Sequence, residues 1–83
     1  MDLGEPILKI LSKTYDPSSL IETRCNTYDL AFKTNREGIP MVAFLGKKDE
    51  QGHIHGERFA RRLRQQVNGT IVKVGWENKG EIT

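Results

Sequence analysis

Four glycines, at positions 38, 52, 69 and 80, each fall in a short polar segment, and their spacing constrains the fold more than any other feature. The segments are Asn35-Arg36-Glu37-Gly38, Asp49-Glu50-Gln51-Gly52, Val67-Asn68-Gly69-Thr70 and Glu77-Asn78-Lys79-Gly80. Each has the composition of a tight turn, and Asn68-Gly69 is the strongest short hairpin signal there is. The intervals between them have the length of hairpin arms, so the chain reads as consecutive antiparallel strands, a meander.

Side-chain alternation fills the intervals. Tyr28, Leu30 and Phe32 alternate with Asp29, Ala31 and Lys33, the period of a half-buried strand. Ile39–Leu45 is a near-continuous apolar strand with Pro40 confined to its start, where a missing N–H is tolerated. Val72, Val74 and Trp76 alternate with Ile71, Lys73 and Gly75, and Glu81–Thr83 forms a short last strand after the turn at 77–80. Upstream, Pro6 suits a first helical position, and Ile7, Leu8, Ile10 and Leu11 mark one helix face. A strand over Pro6–Leu11 competes with that reading. Asp16-Pro17-Ser18-Ser19 is a turn, and residues 20–27, which lack a clean period, are extended chain or an edge strand.

Residues 57–66 stay open between helix and strand. They contain good helix formers and no β-branched residue, and Phe59, Ala60, Leu63 and Val67 would make a helix face. Phe59, Leu63 and Val67 also share strand parity, and the following strand needs an antiparallel neighbour.

The resulting fold class is mainly β (α+β): one antiparallel meander of four to five strands over about 28–83, with a short N-terminal helix over about 6–13 and a turn at 16–19. Eighty-three residues make a single small domain with no room for a second core. The expected core is Leu8, Leu11, Tyr28, Leu30, Phe32, Met41, Ala43, Leu45, Phe59, Leu63, Val72, Val74 and Trp76. Trp76 is expected to cap one end of the sheet.

Charge is unevenly placed. Residues 1–52 hold seven Lys/Arg against eight Asp/Glu, whereas residues 53–76 hold Arg58, Arg61, Arg62, Arg64 and Lys73 against Glu57 alone. As helix or as strand, the 57–66 segment turns Phe59 and Leu63 inward and at least three guanidiniums outward. Arg58, Arg62 and Arg64 are therefore the candidate anion-binding residues, extended from neighbouring strands by Lys47, Lys48 or Lys73. Arginine forks suit phosphate and carboxylate. The two partners this implies are nucleic acid, or a protein partner or second copy pairing with an open sheet edge. Arginines merely paired with Glu57, Glu77 or Glu81 would be ordinary solubilising charge.

Enzymatic constellations are weak. His53 and His55 share one side of a strand, a spacing that suits zinc, but the remaining ligands are not evident and Cys25 is remote in sequence. Cys25 has no nucleophile signature around it. Asp49-Glu50 beside Lys47-Lys48 looks like a solvated hairpin tip, and no Gly-rich phosphate loop occurs. The expectation is a non-enzymatic binding module without a cofactor or metal. A lone cysteine favours a reducing compartment, and no basic leader or ~20-residue apolar run occurs, so the expected location is cytoplasmic, with no membrane partner. Asn68-Gly69-Thr70 matches a glycosylation sequon but reads as a turn.

Overall fold

The computed structural model describes residues 3–82, apart from the side chains of Lys73 and Ile82. Helix α1 (Glu5–Leu11) is followed by β1 (Leu20–Cys25), β2 (Tyr28–Thr34), β3 (Pro40–Lys48), β4 (Ile54–Gln65) and β5 (Ile71–Ile82). The five strands form one antiparallel sheet in the order β1-β2-β3-β4-β5. The turn rhythm thus yields the meander, and residues 57–65 belong to a strand.

The cross-strand register divides side chains between two faces. Leu30 lies opposite Leu45, Phe32 opposite Ala43 and Ala43 opposite Phe59. With Cys25, these residues form the buried cluster on which Ile7 and Leu11 of α1 pack. A seven-residue helix is too short to be stable alone. Its last carbonyls are each given a donor: Ser12 Oγ reaches Lys9 O at 2.8 Å, Tyr15 Oη reaches Ile10 O at 2.6 Å, and Arg61 Nη2 reaches Leu11 O at 2.5 Å. Tyr15 also tilts against Phe32, with ring centroids 4.9 Å apart. Behind it, buried Thr34 takes the N–H of Ser19 and donates its hydroxyl to Asp16 O, tying the 16–19 turn to β2.

Gly38 occupies a position that no other residue fills without strain. Its φ is +80°, and a side chain there would overlap the Tyr15 carbonyl oxygen, whose own N–H is bonded to Gly38 O. Gly46 and Gly56 face each other across β3 and β4 with the backbones in close approach, leaving no space for a Cβ on either.

The structure departs from the sequence reading in four places. The meander begins at Leu20 rather than about Tyr28, because β1 pairs with β2 along its whole length. No turn separates Trp76 from Glu81: β5 runs on to Ile82, and Lys79-Gly80 is accommodated as a two-against-one bulge opposite Arg58. The helix ends at Leu11, since Ser12 rather than Lys13 closes it. The expected core is also too large. Met41 is the additional residue of a bulge in β3 and is only half-buried; Val74 is the additional residue of one in β5 and is exposed. Leu8 lies to one side of the Ile7–Leu11 stripe, Tyr28 lies at a strand end, and Val72 lies opposite Arg64 on the face away from the helix, so all three are exposed. Leu63 and Trp76 are half-buried.

β3 accompanies β4 only as far as Ala60, opposite Val42. From Arg61 to Gln65, β4 pairs with β5 alone, so the two strands continue as a two-stranded arm. The arm accounts for the molecule's elongation, 47 Å against 24 and 21 Å.

Candidate functional site

The face away from α1, the outer face, carries the charge. β4 places Arg58, Ala60, Arg62 and Arg64 there by parity, opposite to Phe59 and Leu63, and all three arginines are exposed. Across the register, Arg58 lies opposite Phe44, which lies opposite Ala31 and then Glu22. The row beside it runs Leu20, Lys33, Val42, Ala60, Glu77.

Lys48 joins this outer face and Lys47 does not, because adjacent strand residues point to opposite sides. Lys48 Nζ is 3.2 Å from Glu22 Oε2. Lys47 donates to the Thr27 carbonyl oxygen and stands 5.6 Å from the centre of the Tyr28 ring. Lys73 pairs through its backbone with Leu63; its side chain lies outside the described residues. The structure thus brings Arg58, Arg62, Arg64 and Lys48 onto one face.

The arginines differ in their neighbours. Arg62 Nη1 is 2.8 Å from Glu77 Oε1, at the base of the arm. Glu77 is shared with Lys79, 2.9 Å away, and the Lys79 hydrogen bond, then the charges of Lys79 and Arg62, hold its carboxyl below the usual range. Among the described residues no carboxylate lies within ion-pair distance of Arg58 or Arg64. The sequence from Arg58 to Trp76 contains no acidic residue, so the whole arm is cationic.

Arg61 behaves differently. Parity sends it to the helix face, where it is 8% exposed. Its guanidinium lies 4.6 Å from the centre of the Trp76 ring and bonds Leu11 O, while Nη1 is buried with no acceptor. Burial lowers its pKa, yet a guanidinium stays charged at neutral pH. Arg61 is a fastener between arm, sheet and helix.

The β3–β4 turn supplies a second cluster. Asp49 Oδ1 accepts the N–H groups of Gln51 and His53, each at 2.9 Å, and its Oδ2 is 2.7 Å from His55 Nε2 and 4.0 Å from His53 Nδ1. The His55 bond, more than any other contact, lowers the Asp49 pKa from 3.8 to about 2. Among the described residues no group of three or more His, Cys, Asp or Glu is placed to hold a metal ion. Cys25 is buried at the end of β1, and Glu50 is exposed.

Beside this turn the outer face is hollowed into a groove of about 660 Å³. Leu20, Ala31, Phe44 and Ile54 line it with apolar surface, and Lys33, Glu22, Gln51 and His53 stand around it. The sequence reading did not single out Phe44 or Lys33 as site residues. The signal was present: if Ala43 and Leu45 face inward, Phe44 must face the arginines. No helix among the described residues is long and apolar enough to cross a membrane. No family model, no curated protein and no solved structure matches the chain.

Proposed function

We propose that this chain is a non-enzymatic nucleic-acid-binding module that meets phosphates through its outer face and its cationic arm. The observation that carries this reading is the alignment of Arg58, Arg62 and Arg64 along one side of β4, in a segment without a carboxylate from Arg58 to Trp76. A two-stranded ribbon fits a nucleic-acid groove, and guanidiniums at alternate positions present successive forks to a backbone. Arg62 can exchange Glu77 for phosphate at little cost, because Lys79 continues to neutralise that carboxylate.

Three phosphate contacts imply a log–log salt slope of about −2.7 on duplex DNA, so affinity should fall roughly 40-fold between 50 and 200 mM salt. Fluorescence anisotropy with labelled oligonucleotides measures this. Arg64→Ala should flatten the slope by about 1 and weaken binding to all sequences alike. Absence of binding at low salt, or a slope unchanged by Arg64→Ala, overturns the reading.

A second reading, association with a protein or a second copy, draws on the arm's exposed Val67, Ile71, Val72 and Val74. Two-stranded ribbons are marginally stable alone, which favours a covering partner. Light scattering decides it: a strict monomer with no concentration-dependent arm protection in hydrogen exchange excludes self-association.

A further inference from the structure

The groove on the outer face differs from the arm in kind. Its floor is apolar and holds the Phe44 ring, which lies opposite Ala31 on one side and Arg58, just outside the lining, on the other, while Asp49, His53 and His55 stand at its turn end. Lys33 Nζ stands 6.0 Å from the centre of that ring. Ala31 is too small to crowd the ring, and Phe44 itself is only half-buried. At the groove's edge the side chains of Glu22 and Gln51 offer hydrogen-bond acceptors and a donor. An aromatic floor, two flanking cations and polar groups at the rim are the chemistry of a nucleobase that carries a phosphate.

We propose that this groove holds a single unstacked nucleobase: its ring lies against Phe44, its phosphate is met by Lys33 and Arg58, and its edge faces Glu22 and Gln51. The inference rests on the nucleic-acid reading above and makes it more specific, since a base can enter only from a single strand or a free nucleotide. Lys33 now covers the ring, and it moves to the phosphate when the base arrives. The arm's arginines act on any polyanion, whereas Phe44 discriminates between unpaired and paired bases. Stacking on one aromatic is tolerant of base identity, so no strong sequence preference is expected from the groove.

The test compares Phe44→Leu, which keeps an apolar floor, with Arg64→Ala and Lys33→Ala in the full chain. The probes are oligo-uridine, oligo-adenosine, a mixed-sequence duplex, and AMP and UMP alone. Phe44→Leu should weaken single-strand binding about ten-fold or more and leave duplex binding unchanged, whereas Arg64→Ala should weaken both. Lys33→Ala should weaken single-strand binding with Phe44→Leu. Saturable amide shifts at Ala31, Phe44 and Ile54 on adding AMP or UMP support the groove; nucleotide binding with no gain in the oligomers identifies a free nucleotide as its occupant. If Phe44→Leu leaves single-strand affinity unchanged and neither nucleotide shifts these amides, the groove assignment is wrong. An Arg64→Ala loss in the same experiment would leave the arm reading standing. Circular dichroism of each variant separates loss of the ring from loss of the fold.

Discussion

Removing Arg61 tests the fold at the point where arm, sheet and helix meet. Three contributions act on its side chain. The guanidinium hydrogen bond to Leu11 O contributes about 1.5–3 kcal/mol as a bond from a charged group. Stacking at 4.6 Å over Trp76 adds roughly 1 kcal/mol. Against these stands the buried, unpartnered Nη1, which costs about 1–3 kcal/mol. With the apolar packing of its stem included, Arg61→Ala should destabilise by about 2 kcal/mol net. For a chain this small, a urea slope of about 1 kcal/mol per molar converts that into a midpoint about 2 M lower. Arg61→Met keeps the stem and discards both the charge and the stranded Nη1, so it should lose less than half as much. Equilibrium urea unfolding followed by Trp76 fluorescence reads the sheet, and hydrogen exchange at Ile10 and Leu11 reads the helix. A loss below about 0.5 kcal/mol for Arg61→Ala, the size of an ordinary surface change, would refute the fastening role. Equal losses for Ala and Met would show that the guanidinium accounts for the whole effect and the stem for none of it, whereas no loss for Met would show that the charge contributes nothing.

Two further outcomes follow from the turns. Gly38→Ala should cost at least about 2 kcal/mol, because a left-handed φ and an overlap with the Tyr15 carbonyl act together; thermal unfolding should show it, and a stabilised variant would contradict the geometry. Asp49 titrates at about 2 in the folded chain against 3.8 ordinarily, so its contribution is complete above about pH 4 and lost as pH falls towards 2. The stability difference between the wild type and Asp49→Asn should therefore shrink over that window, and urea midpoints at pH 6 and pH 2.5 check it; a difference that grows on acidification would invert the sign.

The meander was legible because turn chemistry is local: Asn35-Arg36-Glu37-Gly38 and Asp49-Glu50-Gln51-Gly52 each contain an Asn or Asp whose carboxamide or carboxylate oxygen bonds the backbone two residues on. The same composition at Glu77-Asn78-Lys79-Gly80 misled, since Asn78 makes that bond too, yet to Gly80 within a bulge. Which of the two occurs depends on whether a partner strand continues alongside, and β4 does. Secondary structure at 57–66 was open for the same reason: propensity favours helix there, and only pairing with β3 and β5 decides for strand. Strand parity identifies Phe59 correctly and places Arg61 beside it, but composition alone cannot show that a charged residue will be buried against Trp76. Val72 and Val74 alternate like core residues and are nevertheless exposed, because Val74 is the extra residue of a bulge and that bulge leaves Val72 opposite Arg64, on the face away from the helix. Of the basic residues singled out, Lys47 parts from Arg58, Arg62, Arg64 and Lys48 through a one-residue change of side. The groove needs Leu20 and Phe44, 24 positions apart in the chain, to meet on one face.

The two bulges in β5 bear on which edges of the sheet another strand could join. A sheet edge invites any extended chain to zip onto it, and such zipping needs an unbroken run of aligned donors and acceptors. In β5 the run is interrupted at Val74-Gly75 and again at Lys79-Gly80, so no stretch longer than Gly75–Asn78 keeps regular spacing. A foreign strand laid along it would lose step after a few residues. The other border, β1, has no such interruption over Leu20–Cys25. Of the sheet's two outermost strands, only β1 therefore presents a border along which a foreign strand could keep step.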